Sequence, residues 1–108
     1  MIRLKICGLR DPQSAIVAAD SGADLLGFVF VPGVRRQLTL GQGRAIVAEY
    51  RRLRGPDGPG LVGLFADQPV ERVNHIVREC GLEFAQLCGD EAPEYWSCVA
   101  VPVIKQIR

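Results

Sequence analysis

The sequence predicts an α/β protein in which parallel strands alternate with helices in one domain of residues 1–108. Short apolar segments typical of strands alternate with segments of helical periodicity. The connections between them are short, as in right-handed βαβ units. The length of 108 residues suits one domain, and 48% hydrophobic with 23% charged residues is ordinary for a globular protein.

The first βα unit is predicted from the strand IRLKIC at residues 2–7 and from the helix signal behind it. Asp11 stands at an N-cap position and a proline occupies the next position, so a helix is expected over residues 12–21. The nearly continuous apolar run ADLLGFVF at residues 23–30 is typical of a strand covered on both faces.

Three further units follow. Thr39 and Gln42 have the spacing of a capping box and predict the start of the second helix. Strands are predicted at residues 61–66, 83–88 and 101–107. The third helix is predicted from apolar residues on one face, with a glycine after the last of them: Val70, Val73, Val77 and Cys80. A short fourth helix is expected before the fifth strand.

Two architectures fit this alternation: an open, doubly wound five-stranded sheet, or part of a closed (β/α)8 barrel. Periodicity does not distinguish them. In both, ligands bind at the carboxyl ends of the strands, where the βα loops gather. Functional side chains are therefore expected where strands end.

Composition excludes several classes of function. Thirteen basic and twelve acidic side chains nearly cancel, so no general attraction to nucleic acid or anionic membrane is expected. The longest apolar run is too short to span a bilayer, and a cytoplasmic location is expected. Four cysteines without a CxxC pair suggest reduced thiols that mostly pack, with neither a metal site nor a disulfide framework. No Walker, GxGxxG or HExxH motif is present, which argues against the commonest nucleotide and zinc chemistries.

Cys7 is the main candidate for chemistry because it ends the first predicted strand. Lys5 lies on the same strand face, roughly 7 Å away, where its charge would favour a thiolate that can accept a proton. The alternative is that Cys7 is a small packing residue. Burial among apolar neighbours would then raise its pKa, so the catalytic interpretation needs a partly open, positive setting.

Other strand ends carry weaker candidates. Arg35 and Arg36 follow the second strand, where a guanidinium could bind a carboxylate or phosphate, although such a pair is often only solvated. Asp67 precedes the third helix and is interpreted as a capping residue, and Asp90 and Glu91 suit the positive end of the fourth helix. Lys105 on the fifth strand is of the type that forms Schiff bases, but no second feature supports that role.

Five segments resemble, in order, the phosphoribosylanthranilate isomerase family of (β/α)8-barrel enzymes. KICGLR at residues 5–10 resembles the family's opening K-[IV]-C-G motif, and GADLLGFVFVPGVRR at 22–36 resembles its second strand and loop. VGLFAD at 62–67, LEFAQLCGDE at 82–91 and VIKQIR at 103–108 follow at compatible distances. The resemblance implies that the chain holds the first five strands and four helices of a TIM barrel.

The resemblance also implies an activity. Family members convert N-(5'-phosphoribosyl)anthranilate to 1-(2-carboxyphenylamino)-1-deoxyribulose 5-phosphate by an Amadori rearrangement in tryptophan biosynthesis, without metal or organic cofactor. The residue matching Cys7 is the general base, and the residue matching Arg36 binds the anthranilate end of the substrate. An aspartate on a later strand is the general acid.

Three departures from the family pattern are visible. The usual Q-L-H-G reads Q-L-C-G, so the thiol of Cys88 replaces an imidazole beside the substrate. The second loop reads V-R-R-Q at residues 34–37 where S-P-R-Y is common. The resemblance covers only about the first half of the family's length, so the general acid and the phosphate-binding loops are expected outside this chain.

A half-barrel leaves unpaired strand edges, which predicts pairing with a C-terminal half or with a second copy of the chain. The leading hypothesis is therefore the N-terminal half of an isomerase, which is inactive alone. One alternative is a non-catalytic βα interaction module in which Cys7 only packs. Another is a related barrel enzyme acting on a different phosphosugar.

Overall fold

The computed structural model describes residues 4–105 and confirms the alternation of strands and helices. In chain order the elements are β1 Lys5–Ile6, α1 Pro12–Asp20, β2 Leu25–Val29, α2 Leu40–Arg54, β3 Gly60–Phe65, α3 Val70–Cys80, β4 Phe84–Leu87, α4 Pro93–Trp96 and β5 Val103–Lys105. The strands are somewhat shorter than, or shifted from, the predicted segments. The outermost residues predicted for the first and fifth strands, 2–3 and 106–107, lie outside the described residues.

The strand order distinguishes the two architectures that the sequence left open. The strands lie in the order β1-β2-β3-β4-β5, and every neighbouring pair is parallel. A doubly wound sheet reverses its order at a switch point, and this sheet does not. Right-handed crossovers in an unreversed order place all helices on one face, and α2 indeed packs against both α1 and α3. The described residues are therefore a consecutive segment of a (β/α)8 barrel.

The two faces of the sheet differ in burial. The face toward the helices carries the main core, with these strand residues fully buried: Leu26, Phe28, Leu61, Phe65, Ala85 and Leu87. The opposite, inner face carries one fully buried residue, Val62, and several apolar side chains that are only half-buried: Leu25, Val29, Leu64, Phe84 and Ile104. The outer face of the sheet is therefore covered by the helices, whereas the inner face is partly exposed.

Local signals define three helix ends as the sequence predicts. Asp11 caps α1 by accepting a hydrogen bond from the Ser14 amide at 2.7 Å. At α2, Thr39 and Gln42 form both bonds of the capping box, at 3.1 and 2.9 Å. At α3, Gly81 ends the helix in the left-handed conformation with φ 68°.

The prediction that Asp67 caps a helix is wrong. Helix α3 has Pro69 at its N-cap without a side-chain hydrogen bond. Helix α4 has Ala92 at its N-cap, also without one, and Glu91 directly precedes it. Asp67 and Glu91 lie in the preceding loops instead, and their carboxylates bind backbone amides of other segments. Tertiary contacts have overridden a local pattern.

Over residues 4–105, no helix combines the length and apolar composition needed to cross a bilayer.

Candidate active site

Cys7 lies immediately after β1, where the chain turns toward the carboxyl edge of the sheet. Gly8 makes this turn with φ 77°, a conformation that favours glycine. The Leu9 amide then donates a hydrogen bond to the Gly27 carbonyl at 3.3 Å, so the chain after Cys7 still follows β2. Cys7 is a free thiol, is half-buried, and by the strand register belongs to the inner face of the sheet.

The sulfur of Cys7 lies over the backbone of β2. A Cβ built on Gly27 would be 2.9 Å from Cys7 Sγ, and it would also be 3.1 Å from Leu64 Cδ1 on β3. Glycine at this strand position therefore leaves the space that the thiol occupies. One aliphatic side chain, Leu64, also approaches this position from β3, and Cys7 as a whole is half-buried.

Arg36 reaches the same place from the loop after β2. Its side chain lies over Gly8: both Cδ and Nη1 would be 2.8 Å from a Cβ built on that glycine. The guanidinium is thus held beside the residue that follows Cys7, while Arg36 as a whole remains exposed. Arg35 is also exposed. The structure therefore brings Cys7 and Arg36 together at one edge.

A glutamine stabilises the loop that carries Arg36. Gln37 Oε1 accepts a hydrogen bond from the Gly33 amide at 3.0 Å, which closes the loop across its base. The Leu38 amide donates to the Val29 carbonyl at 2.8 Å and returns the chain to the sheet. Gln37 stands where the family often has an aromatic residue, and its amide side chain supplies a different way of ordering the loop.

Cys88 follows β4 and belongs to the same edge. Its amide donates to the Phe65 carbonyl at 2.8 Å, and its side chain is half-buried. Burial raises the pKa of the Cys88 thiol, the Lys5 charge acts against this, and the Glu91 and Cys7 charges add to it. The thiol is therefore protonated at neutral pH. The end of β4 therefore lies within electrostatic range of Lys5 and Cys7 at the end of β1.

Glu91 is the most buried charged group at this edge. Its side chain is 2% exposed, Oε2 accepts a hydrogen bond from the Asp67 amide at 2.7 Å, and Oε1 lies 3.4 Å from Lys105 Nζ. Lys105 also donates to the Gly89 carbonyl at 2.5 Å. By its strand register Lys105 lies on the same face of the sheet as Leu87, the face toward the helices, and its ammonium connects the end of β5 to the loop after β4.

Asp67 links the loops after β3 and β4. It has a left-handed backbone, with φ 54°, and its Oδ1 accepts a hydrogen bond from the Asp90 amide at 2.8 Å. Its carboxylate packs against Gly89, since a Cβ there would lie 2.5 Å from Asp67 Cγ. A glycine is needed at position 89 for this packing. The ends of β3, β4 and β5 are consequently tied by a closed set of polar contacts.

Sequence reasoning missed two residues that shape this edge. Gly27 had a readable signal, because a glycine in the centre of an apolar strand often marks a close approach of another group. Glu91 had none, because an acidic residue before a helix looks like a cap. Of the four cysteines, Cys80 is buried, Cys7 and Cys88 are half-buried, and Cys98 is exposed.

Comparison with known proteins agrees with this geometry. The family model described as N-(5'-phosphoribosyl)anthranilate (PRA) isomerase matches residues 4–108. The isomerase of Pelobacter propionicus is 38% identical over 108 residues, which are 100% of this chain and 49% of that protein. The isomerase of Desulforudis audaxviator is 45% identical over 105 residues, 97% of this chain and 48% of that protein.

Solved structures give the same result. The phosphoribosyl anthranilate isomerase of Thermus thermophilus superposes with a TM-score of 0.85 at 42% identity, covering 96% of this chain and 50% of that one. Another isomerase structure, in complex with reduced 1-(o-carboxyphenylamino)-1-deoxyribulose 5-phosphate, gives a TM-score of 0.86 at 32% identity, covering 97% and 53%. The chain spans about half the length of the relatives that it matches. By its sequence and by its fold, the chain belongs to the N-(5'-phosphoribosyl)anthranilate isomerase family.

Proposed function

We propose that this chain is the N-terminal half of a phosphoribosylanthranilate isomerase of tryptophan biosynthesis, in which Cys7 is the general base and Arg36 binds substrate. The observation that carries the proposal is the position of Arg36, whose guanidinium lies over Gly8 and so beside Cys7. A partly open thiol next to an exposed guanidinium suits a substrate with both a carboxylate and an acidic carbon-bound hydrogen.

The residues have separate tasks in this reaction. A proton delivered to the ring oxygen opens the sugar, and the thiolate of Cys7 then takes the proton from C2 of the imine form. Arg36 holds the anthranilate carboxylate by paired, charge-assisted hydrogen bonds. Cys88 remains a neutral thiol because burial raises its pKa, so it can line the site as a weak donor. Cys7 supplies only the base, and a separate acid is required.

We infer that the acid and the phosphate-binding loops belong to a C-terminal half, and that this half docks on the two edges of the sheet. Among the described residues β1 pairs only with β2, and β5 only with β4. Beside β1, an apolar cavity of about 390 Å³ is lined by Ile6, Leu9 and Val17 with their neighbours on α1. Val17 on α1 is 65% exposed. An exposed aliphatic side chain beside an apolar cavity is typical of a surface that a partner covers.

A complementation experiment tests the proposal. The chain is produced alone and together with the C-terminal half of the Pelobacter propionicus relative, and turnover is followed by the fluorescence of the anthranilate group. We expect no turnover from the chain alone and turnover from the pair. Replacing Cys7 by alanine in the pair should lower kcat by about 10²- to 10⁴-fold, the usual contribution of a general base.

Cys98→Ala is the matched control, because Cys98 is exposed and its thiol contacts only the neighbouring Glu94 carbonyl at 3.6 Å. This variant should keep full turnover. Full turnover in Cys7→Ala would contradict the assignment of the base. If the pair forms but accepts only another phosphosugar, the related-enzyme alternative is correct.

The partly open inner face favours one second candidate, a non-catalytic interaction module. In that case two copies would cover their half-buried inner side chains, among them Leu25, Leu64 and Phe84, against each other. Mass measurement in solution distinguishes the two. A stable dimer that does not exchange for the C-terminal half supports the module, whereas a chain that associates with that half supports the isomerase. Either form is inferred to be cytoplasmic.

A further inference from the structure

We propose that Gly27 is a positioning residue for Cys7, because the empty side-chain position of Gly27 on the inner face is the space that holds the sulfur. Gly27 would not touch the substrate, and it would act through the place it gives to the thiol. The inference rests on the proposed role of Cys7 as the base. The new element is that Gly27, on the neighbouring strand β2, determines where the Cys7 sulfur lies.

The two residues approach more closely than an ordinary side chain at position 27 would allow. Ile6 pairs with Leu26, which places the next residues, Cys7 and Gly27, side by side. A Cβ on Gly27 would be 2.9 Å from Cys7 Sγ and 3.2 Å from the backbone α-carbon of Cys7. Non-bonded carbon atoms prefer separations of about 3.5–4.0 Å, so both approaches would be repulsive. The backbone of Cys7 is held by the sheet and cannot easily move away.

Backbone conformation does not explain the glycine. Gly27 does not have a positive φ, whereas Gly8, beside it in the site, has φ 77°. An alanine could therefore adopt the backbone of position 27. Glycine in a strand interior weakens the strand and often marks the close approach of another group. Here the approaching group is the thiol, so the requirement at position 27 is for space.

Alanine at position 27 should displace the sulfur without removing it. The side chain of Cys7 would have to rotate to a different staggered rotamer, and the sulfur would leave its place over β2. Leu64 also lies close, at 3.1 Å, but the atom involved is the end of a flexible, half-buried side chain that can shift. A misplacement of about 1 Å at a reacting group can reduce the rate by about a hundredfold.

The first test uses the chain itself and compares Gly27→Ala with Gly41→Ala. Gly41 is the matched control because a Cβ there meets nothing within 4 Å. Each variant is treated with iodoacetamide, and the alkylation rate of each cysteine is obtained from peptide masses. We expect the rate at Cys7 to change several-fold in Gly27→Ala only, with Cys98 unchanged in both, because the accessibility of a thiol sets its reactivity.

The second test uses the chain paired with the C-terminal half. Gly27→Ala should lower kcat by about tenfold to a hundredfold with little change in KM, because the base is displaced while Arg36 still binds the substrate. Unchanged kcat together with an unchanged Cys7 alkylation rate would overturn the inference. If Cys7→Ala keeps full turnover, the base assignment fails, and a changed alkylation rate would still support the placement of the sulfur by Gly27.

A further variant covers the case in which Gly27→Ala does not fold. Adding Cys7→Ala removes the sulfur, and adding Leu64→Ala instead removes the other close side chain. Recovery of the fold by Cys7→Ala supports the inference, because the obstacle was then the thiol. Recovery by Leu64→Ala alone would overturn it, because position 27 would then be a packing position for β3.

Discussion

The carboxyl edge of this sheet has two parts that differ in how their polar groups are bound. The open part is formed by the ends of β1 and β2, and the engaged part by the ends of β3, β4 and β5. At β1 and β2, Cys7 is half-buried and Arg36 is exposed, and each lies over a glycine. At β3, β4 and β5, Glu91 is 2% exposed and binds both Lys105 and the Asp67 amide. The open part leaves its polar side chains available to a ligand, whereas the engaged part pairs its polar groups with one another.

The difference assigns different tasks to the two parts. A buried charge is tolerated only when the protein supplies partners, so Glu91 and Lys105 are used to hold strands together. A guanidinium left in solvent keeps its full capacity for a carboxylate ligand. Substrate recognition and proton abstraction are therefore expected from the ends of β1 and β2. The ends of β3 to β5 form the rigid support, with Cys88 at the boundary.

The largest effect should follow from breaking the support at Glu91. Both oxygens of this carboxylate accept, one from the Asp67 amide at 2.7 Å and one from the Lys105 ammonium at 3.4 Å. Glu91→Gln leaves one oxygen and turns an NH₂ group toward a donor. We expect the free energy of unfolding to fall by about 2–3 kcal/mol, the range for an unsatisfied buried group near a charge. Urea denaturation of the chain measures it.

Glu79→Gln is the control for this variant. Glu79 also forms an ion pair, with Arg44 at 3.2 Å, but the side chains are 35% and 59% exposed. Exposed pairs contribute at most about 1 kcal/mol, so this change should be small. Equal destabilisation by the two substitutions would contradict the proposed division of the edge into an engaged part and an open part.

Arg36→Ala should have the opposite effect: it should weaken substrate binding and leave the stability of the chain unchanged. Arg36 is exposed, so the urea midpoint of the chain should not change. With the C-terminal half present, KM should rise about tenfold or more, because a hydrogen-bonded charge contributes about 1.5–3 kcal/mol. Arg36→Lys should be intermediate, since an ammonium cannot make the paired contacts of a guanidinium. Steady-state kinetics with the anthranilate substrate measures these changes.

Arg35→Ala is the matched control, because its side chain is also exposed on the same loop. It should change KM little. If Arg35→Ala raised KM as much as Arg36→Ala, the loop would act only through its general positive charge, and the specific placement of Arg36 over Gly8 would be irrelevant to binding.

The parts of this fold that could be predicted are those determined by local sequence. The capping box at Thr39 and Gln42 and the stop at Gly81 use atoms within a few residues of each other, so their patterns are visible in the sequence. The location of Cys7 and Arg36 also follows locally, because each comes just after a predicted strand. That the two lie together required the parallel pairing of β1 with β2.

The unpredicted parts depend on contacts between distant segments. Glu91 meets Lys105, 14 residues away, and the amide of Asp67, 24 residues away, so its local resemblance to a helix cap was misleading. The space at Gly27 is filled by Cys7 and Leu64, which are 20 and 37 residues away in the sequence. The choice between an open sheet and a barrel segment likewise needed the strand order, which hydrophobic periodicity does not encode.

The smallest effect concerns Tyr95, which supports the engaged part from α4. Its hydroxyl donates to the Gln68 carbonyl at 2.6 Å, and burial, together with the charges of nearby carboxylates, raises the pKa of Tyr95 from 10.0 to about 12. The folded state therefore holds this proton more tightly than the unfolded state does. The resulting stability is fully present below pH 10 and is lost as the pH rises through about 12.

Tyr95→Phe should remove this alkaline dependence and lower stability at pH 8 by about 1 kcal/mol, the usual net contribution of one hydrogen bond. Urea unfolding at pH 8 and at pH 11 measures both effects. Part of the alkaline loss should remain in the variant, because burial also raises the pKa of Cys80 to about 11. The double variant with Cys80→Ala should flatten the dependence further. If the free energy of unfolding falls equally between pH 8 and pH 11 in the unsubstituted chain and in Tyr95→Phe, the Tyr95 hydroxyl does not stabilise the loop after β3. The engaged part would then depend on Glu91 alone.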